Sequence, residues 1–148
     1  MARLTIDLPS TVLFRTSVDI TIADINYGQH MGNDAALRLA HEARVRWLKS
    51  LDYSELNIEG FGIIVSDAAV IYRAEVFHGD SLTLSLGLAD HNKYGFDIVY
   101  TAHSGNTGQE VLRIKTGVVF FDYQQRKIAA APAAFLHRAS AATQGDAP

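Results

Sequence analysis

The sequence predicts an α+β fold in which an antiparallel sheet of about five strands wraps around one long helix. Three observations predict it. Ala36, Leu39, Ala40, Ala43, Trp47 and Leu51 recur at the three-and-four spacing of one buried helical face. Segments before and after that face alternate apolar and polar residues, the period of half-buried strands. Glycine- and asparagine-bearing turns separate the downstream segments at hairpin spacing.

In chain order, residues 1–9 read as a short edge strand or arm ending at Pro9. From Leu13 to Asp24 the chain alternates, with Val18, Ile20 and Ile22 on one face and Ser17, Asp19 and Thr21 on the other. A polar loop follows (Asp24, Asn26, Tyr27, Gly28, Gln29, His30, Gly32). Asn33 is a good N-cap type and Asp34 a good first-turn acid for a helix running to about Leu51. An irregular connection passes Gly60 and Gly62 into a strand over residues 63–75. The turn His78-Gly79-Asp80 precedes the stripe Leu82, Leu84, Leu86, Leu88. Asn92-Lys93-Tyr94-Gly95 turns into Phe96, Ile98, Tyr100, Ala102, and Gly105-Asn106-Thr107-Gly108 turns into the last strand, residues 111–122. The four strands after the helix are thus expected to be joined by three hairpin-type connections. Beyond a polar turn and Pro132, a short apolar helical turn through Leu136 is expected. The single domain is expected to span residues 1–139, with a flexible tail over 140–148.

The composition excludes several classes. A net charge of −3 offers no general attraction to a phosphate backbone, so no nucleic-acid partner is expected. No apolar run approaches the ~20 residues needed to cross a bilayer, and the N-terminus lacks an uninterrupted apolar core of signal-peptide type. The absence of cysteine removes disulfides, thiolate zinc sites and cysteine nucleophiles together. The expectation is a cytoplasmic protein without a membrane partner. One sheet covering one helix leaves an edge strand and apolar residues open, which predicts a homodimer or homotetramer.

The motifs G-x-S-x-G, Walker A, H-E-x-x-H and C-x-x-C are all missing. The six histidines show no zinc-ligand spacing, and no metal or other cofactor is expected. The polar chemistry is concentrated in D-I-N-Y-G-Q-H-M-G-N-D, residues 24–34, running into a helix that contains H-E-A-R, residues 41–44. This arrangement resembles the hot-dog-fold acyl-CoA thioesterases of the 4-hydroxybenzoyl-CoA thioesterase type, which have a D-x-D-x-x-G-H-x-N-N loop before a long helix. The resemblance covers residues 18–132. It extends to a tyrosine ending the strand after the helix (Tyr72), a Gly79-Asp80 turn, and Asp122 followed by a basic turn and Pro132.

The resemblance implies a hot-dog fold and hydrolysis of a CoA or acyl-carrier thioester. It also places Asn26 where many members carry a catalytic aspartate, and an amide is neither a base nor a nucleophile. The carboxylate is therefore expected elsewhere, on Asp34 or Glu42, with His30 as the third catalytic candidate. Asn26, Gly28, Gly32 and Asn33 are the substrate-binding candidates, the glycines allowing a thioester oxygen to approach the N–H groups of the helix start. A thiolate leaves readily, so a carboxylate that attacks the carbonyl or deprotonates water suffices.

Each residue also has a purely structural role open to it. Asp34 can serve the helix dipole, and Glu42 can pair with Arg38 and Arg46 as an exposed ladder. His30 can cap a backbone carbonyl, and Asp24 can organise the loop's N–H groups. Two other functions stay open. One is a lyase like the hot-dog enoyl-CoA hydratases, whose D-x-N-P-x-H-x-D motif this chain misses in register twice. The other is a non-catalytic acyl-thioester-binding dimer.

Overall fold

A computed structural model describes residues 3–142 of the chain. The elements run β1 (Phe14–Asp19), a 3-10 turn (Ile22–Asp24), α1 (Ala35–Ser50), β2 (Gly62–Tyr72), β3 (Ser81–Asn92), β4 (Gly95–Ser104), β5 (Glu110–Asp122), β6 (Lys127–Ala129) and α2 (Ala133–Ala142). The strands form one antiparallel sheet in the order β1-β3-β4-β5-β2, and the short β6 pairs with the end of β5. α1 lies across β1, β3 and β5. This is the hot-dog architecture.

The helical face read from the sequence is the buried one: Ala36, Leu39, Ala40, Ala43, Trp47 and Leu51 all lie in the core. They pack on Leu82, Leu84 and Leu86 of β3, Ile98 and Tyr100 of β4, and Leu112, Ile114 and Phe120 of β5. α1 ends in a Schellman arrangement, with Asp52 N donating to Lys49 O and Tyr53 N to Leu48 O. Asp52 supplies the left-handed residue at φ 64°. Arg138 of α2 donates to the Leu51 carbonyl at 2.9 Å, where a cation meets the negative end of the helix dipole.

Five expectations need correction. The first strand stops at Asp19 and not at Asp24. The Asp24 carboxylate accepts from Thr21 N and Oγ1 at 2.9 and 3.3 Å, which tightens residues 21–24 into the 3-10 turn and throws Ile22 out to solvent. The strand after the helix ends at Tyr72. Of the three expected hairpins only β3–β4 and β4–β5 exist, because β2 pairs with β5 and the chain crosses over to β3. At the start of α1 the N-cap position belongs to Asp34, not Asn33, and no side chain caps it. The C-terminal helix is ten residues long, and it is fixed by Phe135, whose ring sits 5.5–5.9 Å from those of Trp47, Tyr53, Phe96 and Phe120. It runs through 140–142, and the rest of the expected tail lies outside the described residues.

The N-terminal segment is an arm and not a strand. It crosses the outer face of the sheet, where Arg113 Nη1 donates to Ile6 O at 2.8 Å. Gly87 is a glycine because a Cβ there would collide with the Thr11 carbonyl and Pro9.

Candidate active site

The loop from Asp24 to Asp34 is a tight hairpin tied within itself by four hydrogen bonds from backbone N–H groups. Asn26 N donates to His30 O and Gln29 N to Asn26 O, both at 3.0 Å, and Gly28 N donates to the Asn26 side-chain carbonyl at 2.9 Å. Gly32 N reaches back to Asp24 O, and Met31 N reaches across to Val76 O at 2.7 Å. The loop is thus strung between the 3-10 turn and the exit of β2.

Both candidate glycines hold neighbouring side chains close. A Cβ at Gly28 would meet Asn26 Oδ1 at 3.2 Å and His30 Nε2 at 3.4 Å. One at Gly32 would meet Asp34 Oδ1 at 2.8 Å and Asn26 Nδ2 at 3.8 Å. Asn26 therefore stands between the two glycines, with the His30 ring over one and the Asp34 carboxylate over the other. His30 Nδ1 lies 3.1 Å from the Met31 carbonyl. That oxygen can only accept, so Nδ1 carries a proton, and in the neutral ring Nε2 is the acceptor.

Tyr72, at the end of β2, donates its hydroxyl to Asn33 O at 2.8 Å and joins the sheet to the start of α1. Beside this bond opens a cleft of about 390 Å³ lined by His30, Asn33, Tyr72, Arg73, Glu75 and Val76 among others. First-turn N–H groups of a helix have no intrahelical acceptor, and here no side chain takes their place. The first of these donors, Ala35 N, is met by Gly32 O at 3.1 Å, and the exposed side chains of Asn33 and Asp34 flank the helix start.

A family model described as the thioesterase-like superfamily matches residues 20–139. The chain belongs to the thioesterase-like superfamily. No curated protein matches it. Among solved structures it is similar to a 1,4-dihydroxy-2-naphthoyl-CoA thioesterase from Synechocystis, at 23% identity and TM-score 0.78, covering 86% of this chain and 95% of that one. A hypothetical protein from Staphylococcus aureus in complex with CoA matches at 16% identity and TM-score 0.79, covering 97% and 90%. A 12:0-ACP thioesterase from Umbellularia californica matches at 15% identity and TM-score 0.74, covering 87% of this chain and 50% of its own. At these identities the likeness is one of fold.

Within this thioesterase-like chain, Asn26, Gly28, His30, Asn33 and Asp34 cluster in one loop over the buried Gly32; His30 and Asn33 reach the cleft wall, and Glu42 does not join them. Asp34 Oδ2 accepts from Arg38 Nη1 at 2.8 Å, and this bond holds its carboxyl below the usual aspartate value. Arg38 also lies 3.6 Å from Asp24. Tyr72 is raised above the ordinary tyrosine value, first by burial and then by the negative charge of Asp34. Glu42 pairs with Arg46 at 2.6 Å in solvent. Arg46 in turn docks α1 on β1 through Thr16 Oγ1 and Ser17 O, both at 2.8 Å. Of the expected ladder only the Arg46 rung forms, since Arg38 turns to Asp34.

The other two polar residues of H-E-A-R grip a residue the sequence did not single out. His41 Nε2 lies 2.7 Å from one oxygen of Glu55, and Arg44 Nε donates to the other at 2.6 Å. Arg44 is only 6% exposed and passes beneath the helix to donate to Tyr100 OH at 3.1 Å, itself 3.2 Å from Thr116 Oγ1. Burial alone pushes Glu55 up, but the bonds from Arg44 and His41 outweigh it and leave the carboxyl below its ordinary value. Nothing in the spacing of residues 52–61 marks Glu55, because a lone acid in an irregular connection reads as solvated.

Among the described residues no group of three histidine, aspartate or glutamate side chains could hold a metal ion. No helix among them is long and apolar enough to cross a membrane.

Proposed function

We propose that this protein hydrolyses an acyl thioester to a free acid and a thiol. The observation that carries the reading is the convergence of Asn26, His30 and Asp34 on the uncapped start of α1, beside the cleft at Tyr72. The thioester carbonyl points its oxygen at the first-turn N–H groups, which stabilise the negative charge that develops there. Asp34, kept ionised by Arg38, either adds to the carbonyl carbon or removes a proton from an attacking water. The C–S bond breaks and the sulfur leaves as thiolate; where Asp34 is the nucleophile, water then cleaves the resulting anhydride, releasing the acid and restoring the carboxylate. Asn26 holds the water or the carbonyl through its amide nitrogen, and His30 Nε2 accepts from the water. Asn33, on the wall of the cleft, gives the substrate access to backbone, while the Gly28 and Gly32 N–H groups stay bonded to Asn26 and Asp24 and shape the loop. Glu42 takes no part.

The assembly we propose is a homodimer. β2 closes the sheet with an unpaired edge, eleven residues long, and shows Ile64 and Val65 to solvent, which a second copy can cover by edge pairing. A dimer mass by light scattering supports this; a monomer at micromolar concentration counts against it. The cysteine-free sequence suits a reducing compartment, and we place the enzyme in the cytoplasm. The lyase alternative finds no Asp24–His30 pair, because Asp24 is engaged by Thr21 and Arg38.

The test is thiol release from short, long and aromatic acyl-CoAs by wild type and Asp34→Asn. Turnover by wild type that is lost in the variant, with folding intact, supports the reading. Unchanged turnover in Asp34→Asn removes the carboxylate role. Absence of turnover on every substrate favours a binding protein.

A further inference from the structure

A second cleft, of about 570 Å³, lies between the N-terminal arm and the ends of β2 and β5. Its lining includes Arg3, Arg73 and Arg113 against a single acid, Asp7. It shares Tyr72 and Arg73 with the cleft at the start of α1, so one extended molecule can occupy both. We propose that this arginine cleft binds the phosphates of coenzyme A, whose pantetheine arm then runs past Tyr72 to the helix start. The inference rests on the thioester reading above and narrows it from CoA-or-carrier thioesters to CoA itself.

The three arginines differ in what they have left to give. Arg113 is committed: it donates twice to Glu110, at 2.8 and 2.9 Å, and once to Ile6 O. Its role is to fasten the arm that forms one wall. Arg73 meets Glu110 only through Nε, at 3.3 Å, and keeps its terminal nitrogens. Arg3 has no ion-pair partner among the described residues. Two arginines on Glu110 together with Arg3 leave a positive excess even after Asp7 is counted. Planar guanidinium groups with unused N–H donors suit bidentate phosphate recognition. A cleft this size takes a nucleotide, whereas a carrier protein presents only the phosphopantetheine and its own broad surface.

Binding and kinetics together test this. Titration calorimetry with adenosine 3′,5′-bisphosphate is run on wild type, Arg73→Gln and Arg3→Gln. Arg126→Gln, beyond the opposite end of β5, is the control for lost charge. Affinity is expected to fall roughly ten- to a hundred-fold in the first two variants, as for loss of charged hydrogen bonds, and to hold in the control. KM is compared for benzoyl and hexanoyl groups carried on CoA and on pantetheine alone. The wild type should prefer CoA, and Arg73→Gln should collapse that preference toward one. Equal bisphosphate binding by wild type and variants overturns the assignment. So does a parallel change of KM for CoA and pantetheine thioesters, or a preference for the same acyl groups on an acyl-carrier protein. Should wild type cleave no thioester, the hydrolase reading fails by itself, and the calorimetry still decides the cleft.

Discussion

At its C-terminal end α1 drives Trp47 against Phe135 and closes its last carbonyls with the turn at Asp52 and the guanidinium of Arg138. At its N-terminal end the same helix starts with no side-chain cap and a side chain, Asp34, that is 80% exposed. One end satisfies its backbone groups and buries its side chains. The other carries no side-chain cap and sets exposed polar groups, Asn33 and Asp34, around its start. A helix optimised only for stability would carry a cap at both ends, worth about 1 kcal/mol at the N-terminus. The contrast separates what holds the fold from what the proposed reaction would use, and substitutions at the two ends should therefore have different consequences.

The largest effect is expected at the packed end. Phe135 is fully buried among four aromatic rings, so Phe135→Ala should lower the unfolding free energy by about 3–5 kcal/mol, measured by denaturant titration. Thioester turnover per folded molecule should survive, because the helix start is distant from the lesion. Equal loss of turnover and stability would mean that the two ends are not separable.

The open end predicts the reverse. Asp34→Asn should cut thiol release at least about a hundred-fold, as expected for a residue acting on the reacting atoms, with the melting temperature unchanged. Arg38→Gln sharpens the point through pH. Arg38 holds Asp34 below its ordinary value of 3.8, so the wild-type rate should stay level down to that region and fall only below it. Without Arg38 the carboxyl takes up its proton at higher pH, and the acid limb of the rate profile should move upward. An acid limb in the same place would show that some other group titrates.

Why one end was readable in the sequence and the other only in part has a physical cause. The buried face of α1 imposes a period, so Ala36, Leu39, Ala43 and Trp47 declared it. The alternation in β3 and β4 did the same for the sheet. The loop motif pointed to the cluster now proposed as the site, because polar residues and glycines are concentrated in residues 24–34 just ahead of the helix. Contacts made across long sequence separations left no such trace. Phe135 lies far down the chain from the core it fills. The crossing of β2 to β5 depends on which edge is free, and Glu55 acquires its role only when His41 and Arg44 close on it. Ile22 was misplaced because a local bond, Asp24 to Thr21, overrode the strand period.

Between the two ends sits the Arg44–Glu55 pair, and acid should reveal it. The Glu55 carboxyl in the fold lies below its ordinary value of 4.5. Its contribution is therefore fully present above that value and lost as pH falls toward the lower folded value. Glu55→Gln should destabilise the protein by about 1–2 kcal/mol at neutral pH. The gap between variant and wild type in denaturant midpoint should narrow below pH 4.5. A gap that stays constant down to the acid transition would mean that the carboxylate charge adds nothing to the clamp.

The smallest effect belongs to Glu42, two turns along α1 from Asp34. Its partner Arg46 keeps two further bonds, to Thr16 and Ser17, so losing the carboxylate leaves the docking of α1 on β1 in place. An exposed pair one turn apart contributes about 0.5 kcal/mol at most. Glu42→Gln should accordingly change the denaturant midpoint little and thiol release not at all. A large fall in turnover with stability intact would put the reactive carboxylate on the middle of the helix, reached only from a neighbouring subunit, and would undo the division between the two ends of α1.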